Sequence, residues 1–144
     1  CDVNAIVRQV AGGAEARTAA IELRLDERLP AIDADGVALR RILENLVGNA
    51  VDSLDQASGT VALITEATPT GFRITVADTG RGMTEQELAR AFDDFYTTRE
   101  GGTGLGLSVV RRLVADMSGT LRVETEPGAG TRFIIELPAG GGAS

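Results

Sequence analysis

An α+β two-layer sandwich is the fold class that the sequence predicts, on three observations. Apolar residues recur at helical spacing in three separate segments. Short alternating or apolar runs bounded by Gly and Pro lie between and after them. The strand runs look antiparallel, and the helices are grouped between them without strict strand–helix alternation. A mixed, mostly antiparallel sheet with about three helices on one face satisfies all three.

Val3, Ile6, Val7, Val10 and Ala14 place a first helix over residues 3–19. Ile21 to Leu25 alternates apolar and polar residues, as a half-buried strand does. Pro30 punctuates, and Ala31-Ile32-Asp33 reads as a short strand. Asp35 then caps a long helix reaching about Leu54. Its core face is Leu39, Ile42, Leu43, Leu46, Val47, Ala50 and Leu54. Strands follow at Val61–Ala67 and Phe72–Ala77, separated by Pro69 and Gly71. In the second, Phe72, Ile74 and Val76 alternate with Arg73, Thr75 and Ala77. A short helix, Glu85–Phe92, is capped by Thr84, and another, Leu105–Met117, is entered through four residues that include three glycines. Strands Leu121–Thr125 and Arg132–Leu137 close the fold around the turn Pro127-Gly128-Ala129-Gly130. Residues 1–138 read as one domain, and the Gly-rich tail 139–144 as disordered. A chain of 144 residues buries roughly two-thirds of its unfolded surface.

Composition removes more candidates than it adds. Fourteen basic against twenty-one acidic residues give a net charge of −7, against a general nucleic-acid or anionic-membrane surface. One cysteine, Cys1, excludes an internal disulfide. The chain has no His, which excludes Ser-His-Asp and Cys-His catalysis and His-ligated zinc. Its basic residues are all Arg, so the Gly-Lys-Ser/Thr phosphate loop and the eukaryotic-type kinase lysine are both impossible. No apolar run approaches the ~18 residues of a membrane helix. The expectation is a cytoplasmic piece of something larger, with no direct membrane contact, including the cytosolic part of a membrane-bound sensor.

Three constellations carry candidate chemistry. On the long helix Asn45, Asn49 and Asp52 share a stripe opposite the apolar face, with Arg41 one turn earlier. The plainer reading is a solvated surface. Asn is a poor helix former, however, and the amide oxygen of Asn49 suits a hard cation such as Mg²⁺. Second, Asp78-Thr79-Gly80-Arg81-Gly82-Met83 follows a strand directly. It reads either as an ordinary turn, or as a carboxylate for an exocyclic amine beside glycines that let the backbone approach a flat ring. Third, Gly102-Thr103-Gly104-Leu105-Gly106-Leu107 opens a helix, where free N–H groups favour an anion. A glycine hinge is the alternative. Between the last two, Phe92 to Glu100 holds the only Tyr and two of the four Phe, a composition that suits an aromatic-anchored flap.

Taken in order, these segments resemble the ATP-binding catalytic domain of sensor histidine kinases, in the gyrase–chaperone–kinase–MutL superfamily with its Bergerat ATP-binding fold. The likeness covers about residues 3–138. Asn45 to Ala50 resembles the N box, Asp78 to Met83 the G1 box, Phe92 to Arg99 the F box, and Gly102 to Leu107 the G2 box. Gly128 to Phe133 resembles the family's closing Gly-x-Gly-Thr-x-Phe strand. The run Phe95 to Arg99 and the short Gly-Gly-Thr-Gly lid look most like nitrogen-regulatory-type kinases.

The resemblance implies roles, residue by residue. Asp78 would accept the adenine amine, with Thr131 supporting it directly or through water. Gly80, Gly82 and Met83 would belong to the base-binding set. Asn49 would hold Mg²⁺, and Asn45 would sit near the phosphates. Thr103, Gly104, Leu105, Gly106 and Leu107 would cradle the triphosphate, and Arg99 would contact the β- or γ-phosphate. Hydrolysing relatives and anti-sigma-factor serine kinases typically have a Glu where this chain has Asn45, and Asn cannot take a proton. Glu44 is rotated about 100° around the helix from that stripe. Many histidine kinases have Lys or Arg where this chain has Asp52, an acid on the phosphate side. The resemblance thus implies MgATP binding and γ-phosphoryl transfer to a histidine on a separate dimerisation domain, with a response regulator downstream. No phosphoacceptor lies in the chain itself. An anti-sigma-factor-like serine kinase and a non-catalytic nucleotide-sensing module are the alternatives.

Overall fold

The computed structural model describes residues 3–15, 21–29, 36–53, 59–80, 82–86, 88 and 107–138. Within them three helices, α1 (Val3–Glu15), α2 (Gly36–Ser53) and α3 (Leu107–Asp116), accompany five strands. The strands are β1 (Ile21–Arg24), β2 (Val61–Thr68), β3 (Gly71–Asp78), β4 (Thr120–Glu126) and β5 (Gly130–Pro138). They form one sheet in the order β1-β2-β3-β5-β4. β1 runs parallel to β2 and every other pairing is antiparallel, as the sandwich requires. The expected strand at 31–33, the cap Asp35, most of the helix 85–92 and the tail 139–144 lie outside the described residues.

Periodicity decides which face each element buries. On α1, Val3, Val7, Val10 and Ala11 are buried; on α2, Leu39, Ile42, Leu43, Leu46, Val47 and Ala50; on α3, Leu107, Val110 and Val114. The strands answer with Val61, Leu63, Phe72, Ile74, Val76, Phe133, Ile135 and Leu137, giving a single core between layers. The register aligns these residues, with Val76 opposite Phe133, Ile74 opposite Ile135 and Phe72 opposite Leu137. Burial of this apolar set contributes about 1.5–3 kcal/mol per large side chain.

The other face of the sheet is open and laddered with opposite charges. Arg73 lies 2.9 Å from Glu136 and 3.6 Å from Glu66, and Arg132 lies 3.4 Å from Glu124. Two residues on this face, Thr75 and Ile134, are nevertheless buried cross-strand partners. Period-2 alternation on β3 assigns Thr75 to the side of Arg73, as found. The positions around Thr75 and Ile134 on this face are held by Arg73, Arg122, Arg132 and Glu136, side chains of the kind whose aliphatic stems can cover a neighbour.

α2 is the central helix of its layer, packed against α1, α3 and the strands β2, β3 and β5. That position governs what its asparagines meet.

Candidate functional site

The site is built around the end of β3. Alternation carries Asp78 onto the helix-facing side of the sheet, in phase with Phe72, Ile74 and Val76, and there it is only 7% exposed. Its strand neighbours are Val61 on β2 and Thr131 on β5, and Thr131 is 6% exposed. A buried carboxylate is costly unless it is hydrogen-bonded. The N–H of Gly80 donates to Asp78 Oδ1 at 2.8 Å, closing an Asx-type turn that starts the loop. Thr79 then anchors this loop to the start of β2. Its N–H donates to the Thr60 carbonyl at 3.1 Å, and its Oγ1 accepts from the Thr60 N–H at 2.9 Å.

Two glycines fix the loop against the β4–β5 hairpin. Gly82 has φ +68° and Gly130 has φ +101°, both in the region that favours glycine. A Cβ on Gly82 would overlap the carbonyl oxygen of Glu126, and one on Gly130 would overlap that of Asp78. The absent side chains are thus filled by opposing main chain. Loop and hairpin lie backbone to backbone.

Thr125, on β4, was not singled out by sequence, yet it joins three parts of this region. It lies opposite Thr131 in the hairpin register. Its Oγ1 accepts the Met83 N–H at 2.9 Å, lies 2.8 Å from Thr131 Oγ1 and 3.2 Å from the Gly130 carbonyl oxygen. The available signal was weak: a threonine six residues before Thr131, across a Pro-Gly-Ala-Gly turn, which pairs the two only if the register is known. Ala77, Asp78, Thr125, Gly130, Thr131 and Arg132 are among the residues lining a depression at this end of the sheet.

The helix layer supplies the other side. Asn45 and Asn49 are both half-buried on α2, which adjoins β3 and β5. The plainer reading, a solvated stripe opposite the core face, holds for Arg41, which is exposed, but not for Asn45, whose Nδ2 is fully buried with no hydrogen-bond partner among the described residues. The cause is the central placement of α2, whose flanks are covered by α1 and α3 as well as by the sheet. Asp52 lies in the last turn of α2, its side chain outside the described residues. Leu107, buried at 4%, begins α3 and packs into the core. Arg99, Thr103, Gly104, Leu105 and Gly106 lie outside the described residues. The structure therefore brings Asp78, Gly80, Gly82, Met83 and Thr131 together, with Asn45 and Asn49 on an adjoining element.

The donor set fits a nucleotide better than a protein-caged metal. Among the described residues no group of three or more His, Cys, Asp or Glu side chains could hold an ion. An unpartnered buried amide donor at Asn45 suits an anionic acceptor such as phosphate. An amide oxygen on Asn49 suits a cation that takes its remaining ligands from water and phosphate.

Fold and site fit a nucleotide-binding domain, and comparison with known proteins gives the family. Residues 34–141 match the model of the histidine kinase-, DNA gyrase B- and HSP90-like ATPases, and the chain belongs to that family. Its relatives include sensor histidine kinase ZraS of Escherichia coli O157:H7, 33% identical over 136 residues, covering 94% of this chain and 30% of ZraS. The chain thus spans about 30% of the length of that relative. Among solved structures, full-length ShkA in complex with AMPPNP matches with a TM-score of 0.84 at 39% identity, covering 96% of this chain and 30% of that one. Histidine kinase ThkA in complex with response regulator protein TrrA matches with a TM-score of 0.80 at 26% identity, covering 96% of this chain and 41% of that one. No helix among the described residues is long and apolar enough to cross a membrane.

Proposed function

We propose that this chain is the catalytic domain of a sensor histidine kinase. In this reading it binds ATP with Mg²⁺ and passes the γ-phosphoryl group to a histidine on a dimerisation domain outside the chain. The observation that carries the reading is Asp78, buried beside Thr131 at two adjoining strand ends and followed by the Gly80–Gly82 loop. Asp78 accepts the exocyclic amine of adenine, Thr131 supports it, and Gly80, Gly82 and Met83 border the base. Asn45 Nδ2 donates to a phosphate oxygen, and Asn49 offers its amide oxygen to Mg²⁺. When bound, the metal would neutralise phosphate charge. Thr103 to Leu107 hold the triphosphate through main-chain N–H groups, and Arg99 adds a guanidinium on the β- or γ-phosphate side.

Phosphoryl transfer requires mainly positioning and charge neutralisation. With Asn45 in place of a carboxylate, no side chain there activates water, which favours transfer over hydrolysis and disfavours a serine kinase with a base at that position. The AMPPNP bound by ShkA and the response regulator bound by ThkA support ATP as substrate and a response regulator as downstream partner. The run Phe95 to Arg99 supports a nitrogen-regulatory-type kinase, and residues 1–138 constitute the catalytic unit.

Calorimetry with ATP, with and without Mg²⁺, tests the reading. Wild-type affinity in Asp78→Asn would sink the adenine assignment. Labelled ATP supplied with the separately prepared histidine-bearing domain tests transfer. Binding of ATP with no label on histidine at any concentration points instead to a nucleotide-sensing module.

A further inference from the structure

The hydroxyl of Thr125 has more neighbours than one proton can serve. It accepts the Met83 N–H at 2.9 Å, faces Thr131 Oγ1 at 2.8 Å and lies 3.2 Å from the Gly130 carbonyl oxygen. A threonine hydroxyl donates once and accepts twice. One arrangement uses that whole capacity. Thr125 donates to the Gly130 carbonyl and accepts from both the Met83 N–H and the Thr131 O–H. The proton of Thr131 is then committed to Thr125, and the lone pairs of Thr131 remain for a ligand. In the reverse arrangement Thr125 donates to Thr131, the Gly130 contact lapses, and Thr131 presents a donor.

We propose that Thr125 is a positioning residue for the adenine end of the nucleotide site. It sets Thr131 as a hydrogen-bond acceptor and pins the Gly82–Met83 main chain that borders the base. The inference rests on the ATP-binding reading given above. An exocyclic amine carries two N–H donors, and Asp78 and Thr131, adjacent at the strand ends, then offer two acceptors. Thr125 acts through these neighbours, because its own hydroxyl is already committed to Met83, Gly130 and Thr131.

The test compares two substitutions of opposite character in the 144-residue chain. Thr125→Val keeps the shape and removes the hydroxyl, while Thr125→Ser keeps the hydroxyl and removes the methyl. Calorimetric titration with MgATP is expected to show affinity about tenfold weaker in Thr125→Val, with Thr125→Ser within about threefold of wild type. A merely structural, packing role predicts the reverse order. Wild-type affinity in Thr125→Val, or equal loss in both variants, overturns the inference. Amide hydrogen exchange of the wild-type chain is a second check that needs no variant. Protection is expected at Met83, and exchange there at the rate of a free loop overturns the pinning. Failure of the wild type to bind ATP would overturn the ATP-binding reading itself and this inference with it. Wild-type binding that is indifferent to the loss of the hydroxyl overturns this inference alone.

Discussion

Thr65 and Asn4, 61 residues apart in the chain, share a buried hydrogen bond in which Thr65 Oγ1 donates to Asn4 Oδ1 at 2.9 Å. The same Oγ1 accepts the Asp26 N–H at 2.9 Å, and Asn4 Nδ2 donates to the Asp26 carbonyl at 3.0 Å. One threonine on β2 therefore ties α1 to the turn after β1. Thr65→Val leaves a donor and an acceptor unpaired, so we expect a loss of about 2 kcal/mol, with Thr65→Ser costing less. Urea unfolding midpoints measure both, and equal stability of Thr65→Val and wild type would contradict the assignment.

Asp26 gives the fold an acid-sensitive element. The Arg28 side chain foremost, then the N–H groups of Ala67 and Arg28, hold its carboxyl well below the ordinary value of 3.8. A carboxylate whose pKa is depressed by folding contributes stability that is present above the unfolded value and lost as pH falls through the folded one. Stability attributable to Asp26 should therefore hold at neutral pH and decline below about pH 4. Asp26→Asn is expected to be less stable than wild type at neutral pH and to show a shallower acid limb. Parallel acid limbs in chemical denaturation at stepped pH would refute the linkage.

Asn45 sets binding against stability. An unpartnered buried donor costs about 1–3 kcal/mol, so Asn45→Leu is expected to raise the melting temperature of the nucleotide-free chain by about 2–12 °C. The same change should weaken binding of MgATP. Scanning calorimetry with and without nucleotide measures both effects, and a lower melting temperature for the free variant would show that the amide is satisfied after all.

The three positive-φ glycines among the described residues should separate by what surrounds them. Gly128, at φ +82°, has open space where a Cβ would go, so Gly128→Ala should cost only the backbone strain, about 1 kcal/mol. Gly82→Ala and Gly130→Ala add overlap with opposing main chain and should each cost more than about 2 kcal/mol. Thermal unfolding of the three variants gives the order directly.

Much of the fold was legible because its signals are local. Leu39 to Ala50 on α2 and Phe72 to Val76 on β3 declare their buried faces by spacing alone, and Asp78 follows from the phase of β3. What escaped depends on pairing. Thr125 matters because β4 sets it opposite Thr131, and Asn4 because α1 brings it to Thr65. Asn45 was placed on an open stripe because the intrinsic pattern of a helix does not tell how many neighbours will cover it. The N–H of Met83 illustrates the same limit: a main-chain donor has no residue type through which sequence could announce its partner.

Where Gly82 meets Glu126 and Gly130 meets Asp78, no side chain intervenes and no rotamer is available to yield. The spacing of loop and hairpin at these two contacts is accordingly a property of the main chain. On the proposed reading, a base entering there would meet main chain already in place, so little conformational entropy would be lost at these contacts on binding. A base of the wrong outline could not be accommodated by side-chain repacking at these two contacts. Selectivity there would then be enforced by shape before any hydrogen bond is made.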